Sequence, residues 1–190
     1  MADDMPVKAF ATPAKFEDWL AKNHAKSDGI WVKFYKKASG KKTIVYKEAL
    51  DVALCYGWID SLMRSLDHEA YVQKFTPRRT KSVWSENNRE HVARLIKEKR
   101  MRPAGLAEVE QAKADGRWDA AYASPKNIQM TPEFAKALKQ SPKAKKFYDT
   151  LKRVNSYAKL WRIHTSKTPK TRAKKIEQII EMLEAKKTFH

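Results

Sequence analysis

The chain has one cysteine, Cys55, which excludes an intramolecular disulfide and any metal site built from several thiolates. Glycine is scarce: five residues are scattered along the chain, none in the GxGxxG or GxxxxGK spacing whose backbone amides cradle phosphate. No stretch approaches the roughly 18 uninterrupted apolar residues that a membrane-spanning helix needs. The segment Met1–Phe10 lacks the apolar run of a signal peptide, and Asp3 and Asp4 stand where positive charge would be expected. Together these absences predict a cytoplasmic protein with no transmembrane segment. Serine, histidine and aspartate occur in no nucleophile-elbow context, and zinc-finger, RNP, KH and basic-zipper signatures are lacking. The expectation is a protein without cofactor or metal and, on balance, without catalysis.

Positive charge is what abounds. Forty basic residues face 22 acidic ones, a formal net charge of +18. The excess is unevenly spread. Residues 1–72 carry 11 basic and 10 acidic side chains, residues 73–105 carry 10 and 3, residues 106–130 carry 3 and 4, and residues 131–190 carry 16 and 5. A central segment and the C-terminal third therefore hold it, which favours encounters with polyanions without naming one. Hydrophobic residues at 42% and six tryptophans along the chain supply a core, so disorder of the whole chain is excluded.

The dipeptides Thr12-Pro13, Thr131-Pro132, Ser141-Pro142 and Thr168-Pro169 each read as a helix start. The hydroxyl can cap free amides, and proline loses no bond at the first helical position. Alternation predicts a strand over 30–37, and two further strands are expected at 58–65 and 69–75 around a turn at Leu66-Asp67-His68. Helices are expected at 46–56, stopped by Gly57, at 83–100, and from Pro103 to Asp115-Gly116. In the C-terminal third, Ala144/Phe147/Tyr148/Leu151, Val154/Tyr157/Ala158/Trp161 and Ala173/Ile176/Ile180/Leu183 recur at helical spacing and predict core stripes. The fold class is α+β: a small sheet with helices in the N-terminal half and an all-helical C-terminal half. The expected organisation is an α+β domain over 1–118, a connection over 119–130 and a helical module over 131–190.

Four groups of side chains invite a chemical reading. Arg78, Arg79 and Arg89 lie where a basic segment leaves a strand and enters a helix, a setting in which guanidinium forks and helix amides bind anions. Lys170, Arg172, Lys174 and Lys175 crowd the first turns of the last helix, where the helix dipole disfavours cations, and a bound polyanion would reverse that cost. Arg162, His164 and Lys167 could add to that patch. Trp84, Tyr157 and Trp161 interleave with these charges as nucleic-acid-binding aromatics do, but their core spacing predicts burial. Asp60, Asp67, His68 and Glu69 form an acid–imidazole cluster without metal-ligand spacing; Asp60 is expected to aim at Arg78 or Arg79 as a structural ion pair. A polar pocket around Asp60, Arg78, Trp84 and Asn88 is the alternative to a flat basic patch. Cys55 is expected to be buried and inert.

One family resemblance enters on ordered motifs: Tyr46-Lys47-Glu48-Ala49-Leu50, Tyr56-Gly57-Trp58-Ile59-Asp60-Ser61, Phe75-Thr76-Pro77-Arg78-Arg79, Ser82-Val83-Trp84-Ser85, Asn88-Arg89, Met101-Arg102-Pro103-Ala104-Gly105, Ala114-Asp115-Gly116-Arg117-Trp118, and the tail from Thr171-Arg172-Ala173-Lys174-Lys175-Ile176 to Thr188-Phe189-His190. From about residue 16 onward the chain resembles the YdeI/OmpD-associated family, also called bacteriocin-protection proteins. The resemblance implies a C-terminal helical module from about residue 131, association with an outer-membrane porin and protection against antimicrobial stress. It transfers no catalytic residue, and the lack of an export signal departs from relatives connected with the envelope. The combined expectation is a non-enzymatic stress or bacteriocin-protection protein that recognises a polyanion, either nucleic acid or an anionic envelope component. A protein partner or a small-ligand pocket remains open beside it.

Overall fold

The computed structural model describes residues 5–166 and 168–189, so Asp3, Asp4, Lys167 and His190 lie outside the described residues. The chain divides into two compact units. One takes the described residues up to Trp84 together with Asn88–Ala120; the other takes Ser85–Asn87 with the described residues from Ala121 onward.

The first unit is built on a four-stranded sheet of order β1-β2-β4-β3, with β1 Val7–Ala9, β2 Ile30–Tyr35, β3 Trp58–Ser65 and β4 Ala70–Pro77. β1 runs parallel to β2, and the other two pairings are antiparallel. β1 has no sequence signal of its own: its three residues are all exposed, and pairing with β2 defines it. The β3–β4 hairpin closes on Asp67, whose Oδ1 accepts the backbone N–H of Glu69 and of Ala70, each at 2.7 Å.

Helices α1 Pro13–Asn23, α2 Tyr46–Cys55, α3 Glu86–Lys97 and α4 Pro103–Ala114 complete the first half. α2 is buried along Ala49–Cys55, and Gly57 ends its turn at φ +73°, a left-handed conformation that a side chain disfavours. The start of α4 abuts the end of α2: Arg102 N–H donates to Cys55 O at 3.0 Å, and a Cβ at Gly105 would collide with that same carbonyl. Phe16, Leu20, Phe34, Trp58, Phe75, Trp84 and Leu95 fill the interior.

The second unit contains α5 Pro132–Gln140, α6 Pro142–Tyr148, α7 Arg153–His164 and α8 Pro169–Glu184. Their core is Phe134, Leu138, Ala144, Leu160, Ile163, Ile176, Ile179 and Leu183. The hydroxyl-proline starts act as expected: Thr12, Thr131, Ser141 and Thr168 each accept the backbone N–H three residues on, at 3.1–3.4 Å. Among the described residues every strand lies in the N-terminal half, and the fold is α+β. Two expected stripes are corrected. On α8, Ala173 is exposed and Ile179 joins Ile176 and Leu183 in the core, with Ile180 half-buried beside them. On α7 the core face is Leu160 and Ile163, beside the fully buried Lys159, whereas Val154 is 70% exposed and Tyr157, Ala158 and Trp161 are half-buried. Two apolar stripes fit one helix there, and periodicity alone does not say which one the neighbours cover.

Candidate anion-binding surfaces

β4 ends at Pro77 and delivers Arg78, whose N–H donates to Gly57 O at 3.0 Å. The following turn is held by Ser82: Arg79 N–H donates to its Oγ at 3.0 Å, and Ser82 N–H to Arg79 O at 2.8 Å. Arg78 is buried. Its guanidinium lies 3.6 Å from the centroid of Trp84, and Nη1 donates to Val83 O at 3.3 Å. Trp84 in turn meets Trp118 edge-on, with centroids 4.9 Å apart, and Arg89 lies 5.3 Å from the Trp118 ring. Arg78 and Arg89 therefore converge on one tryptophan pair, while Arg79 reaches the surface. Stacking of a planar, weakly hydrated guanidinium on indole is the arrangement in which burial of a cation is tolerated best.

An open cavity of about 660 Å³ adjoins this turn, lined among others by Ile59, Ser61, Lys74, Thr76, Arg78 and Arg79. Of the four residues expected around a pocket, Arg78 lines it. Asp60 stands between Ile59 and Ser61 on β3, and alternation along a strand sends its side chain to the other face. There Tyr46 Oη donates to Asp60 Oδ2 at 2.8 Å and Gln73 Nε2 at 3.5 Å, in place of the expected Arg78 or Arg79. Trp84 is buried under Arg78, and Asn88 sits half-buried in the first turn of α3. The remaining acid–imidazole cluster is turn chemistry, since Asp67 caps the hairpin and Glu69 pairs with Lys41 Nζ at 2.6 Å. Among the described residues, no group of three or more His, Cys, Asp or Glu side chains is placed to hold a metal. Cys55 is buried, and burial pushes its thiol up to about 11, away from the thiolate form.

Sequence reading missed a further buried charge. Asp51, 6% exposed on the apolar face of α2, accepts from His91 Nδ1 and from Arg94 Nη2, each at 2.6 Å. Burial pushes its carboxyl up, but these hydrogen bonds and the adjacent guanidinium outweigh that and hold it below the ordinary aspartate value. An acid inside an otherwise apolar helical run, and His91 with Arg94 one turn apart, were the signals available.

In the second unit the cations at the start of α8 are separately employed. Arg172 lies 3.8 Å from Glu133, and Lys175 Nζ donates to Arg162 O at 3.3 Å, while Lys170 and Lys174 are exposed. His164 Nε2 meets Gln129 O at 2.8 Å, and the Arg162 guanidinium lies 3.9 Å from the Phe189 ring. Two of the three interleaved aromatics escape the expected burial: Trp84 is buried, but Tyr157 and Trp161 are half-buried against an open cavity.

The sheet-bearing half and the basic helical half correspond to two separate family matches. Residues 8–108 match the model described as Domain of unknown function (DUF8412), and the chain belongs to that family. Residues 127–186 match the family described as Bacteriocin-protection, YdeI or OmpD-Associated, so the resemblance read from the motifs is shown for the helical segment. The motifs between Tyr46 and Gly105 fall within the first match, and Ala114–Trp118 falls between the two. No curated protein and no solved structure matches the chain. Among the described residues, no helix is long and apolar enough to cross a membrane.

Proposed function

We propose that the protein is a non-enzymatic, bacteriocin-protection-type protein of the cytoplasm that recognises a polyanion through its basic surfaces. The observation that carries this reading is the imbalance of residues 131–190, where sixteen basic side chains face five acidic ones. Neighbouring acids are too few to neutralise that excess, and one of the five, Glu184, is already engaged by Ser141 Oγ at 2.6 Å. Lys170 and Lys174 are the exposed members of the α8 patch, Arg172 and Lys175 flank them, and Arg78 with Arg79, which line one cavity, form a smaller cationic site on the first unit, with Arg89 over Trp118 of the adjoining tryptophan pair. The partner is nucleic acid or an anionic envelope component. Titration of the full chain with RNA, DNA and anionic vesicles at low salt separates these. Binding is expected, and Lys170→Glu with Lys174→Glu should weaken it while the fold is retained. Absence of binding to all three at low ionic strength would remove the reading.

A second reading rests on the 660 Å³ cavity, whose wall sets the three cations Lys74, Arg78 and Arg79 and the hydroxyls of Thr76 and Ser82 against a single carboxylate, Asp28. That lining suits a small anionic ligand. A thermal-shift screen with small phosphates and carboxylates would reveal it as ligand-dependent stabilisation, abolished by Arg79→Ala.

A further inference from the structure

Helix α7 turns only one of its two apolar stripes into the core of its unit. The other carries Val154, Tyr157, Ala158 and Trp161, which with Tyr122 and Arg162 line an open cavity of about 310 Å³. A volume near 300 Å³ lies within the range of small-ligand sites. Tyr122 and Trp161 stand at 87° to one another with centroids 5.9 Å apart. A flat ring laid against either one presents its edge to the other, and these are the two geometries that aromatic pairs favour. Burial pushes the Tyr157 phenol up to about 12, and its Oη donates to Ala123 O at 3.5 Å.

Arg162 adds a fixed charge to the same wall, its Nη1 donating to Ala158 O at 2.9 Å. A methylated ammonium, which three aromatic rings could otherwise hold, is disfavoured beside this guanidinium and in a segment with an excess of eleven positive charges. A purely apolar side chain would gain nothing from the charge. A heteroaromatic ring attached to phosphate uses both.

We propose that the cavity formed by Tyr122, Tyr157, Trp161 and Arg162 stacks a nucleobase of a phosphate-bearing ligand. For its phosphate it rests on the polyanion reading; for its base it rests on this cavity alone. The base comes from a free nucleotide or from a single strand.

The test compares the full chain's affinity for an adenine octanucleotide and for an abasic octamer of equal charge. The abasic octamer reports the polyanion reading, and the ratio of the two affinities reports the cavity. Stacking of one base predicts a ratio of about fivefold to a hundredfold. Tyr157→Ala should bring the ratio close to unity. So should Ala158→Leu, which fills the open space and removes no aromatic ring. Competition by adenosine monophosphate, but not by ribose 5-phosphate, would identify the free nucleotide as the source; retention of the ratio without such competition would identify the strand. A ratio near unity in the unaltered chain, or a ratio that survives both substitutions in folded protein, would overturn the proposal.

Discussion

Arg78 in the first unit and Lys159 in the second are both buried cations, and their surroundings treat them differently. The Arg78 guanidinium sits over Trp84, 3.6 Å from the ring centroid, with a carbonyl on its fork. Lys159 is 0% exposed, and its Nζ has one long hydrogen bond, 3.4 Å to Asn155 O, with the Phe189 ring 5.2 Å away. Burial, helped by the nearby Arg162, pushes its ammonium below the ordinary lysine value. A delocalised guanidinium matches an indole face, whereas a compact ammonium loses strong hydration that one carbonyl and one phenyl ring only partly replace. The first unit uses its buried charge as packing. The second carries buried charge as a stress and leaves other lysines in solvent.

Replacing the surface on which Arg78 lies gives the largest effect expected. Trp84→Ala should cost about 3–5 kcal/mol in denaturant unfolding, through the cavity it leaves and the unsupported arginine above it. Next comes the acid that the first unit buries with partners. Asp51→Ala should cost about 2 kcal/mol, discounted because Arg94 is partly exposed. Because the folded carboxyl has a lowered pKa, Asp51 contributes its full stabilisation above the unfolded value of about 3.8, and loses it as pH falls through the folded value. An acid titration of stability should therefore be shallower in the variant.

Arg78→Lys sharpens the contrast between the two cations. It should cost about 1–2 kcal/mol although charge is conserved, because lysine cannot stack as a plane. The smallest effect has the opposite sign. Lys159→Met should stabilise the protein by about 1 kcal/mol in thermal or denaturant melts at neutral pH. Between the lowered folded pKa and 10.5, the unfolded chain binds more protons at this site, so its penalty fades as pH rises. The advantage of Lys159→Met should shrink over the same window.

Local chemistry was legible in the sequence. The four hydroxyl-proline pairs, the glycine stop after α2 and the β3–β4 hairpin are specified by residues within a few positions of each other. What escaped depends on partners distant along the chain. β1 exists because β2 offers it an edge, and Asp51 finds His91 and Arg94 some forty residues later. Asp60 is expected at Arg78 or Arg79, far along the chain, but strand alternation turns it toward Tyr46 and Gln73. On α7, Leu160 with Ile163 and Tyr157 with Trp161 both recur at core spacing. Only the packing of α8 and its neighbours decides which stripe is core, and so where an open aromatic wall remains.

The most direct measurement of the central claim is the salt dependence of nucleic-acid binding by the full chain. Recognition through gathered cations predicts that the logarithm of the association constant falls linearly with the logarithm of salt concentration, with a slope of about −0.9 for each phosphate neutralised on duplex DNA. Reversing Lys170 and Lys174 should make the slope shallower by about 2. A flat salt dependence, or a slope that those reversals leave unchanged, would contradict the account.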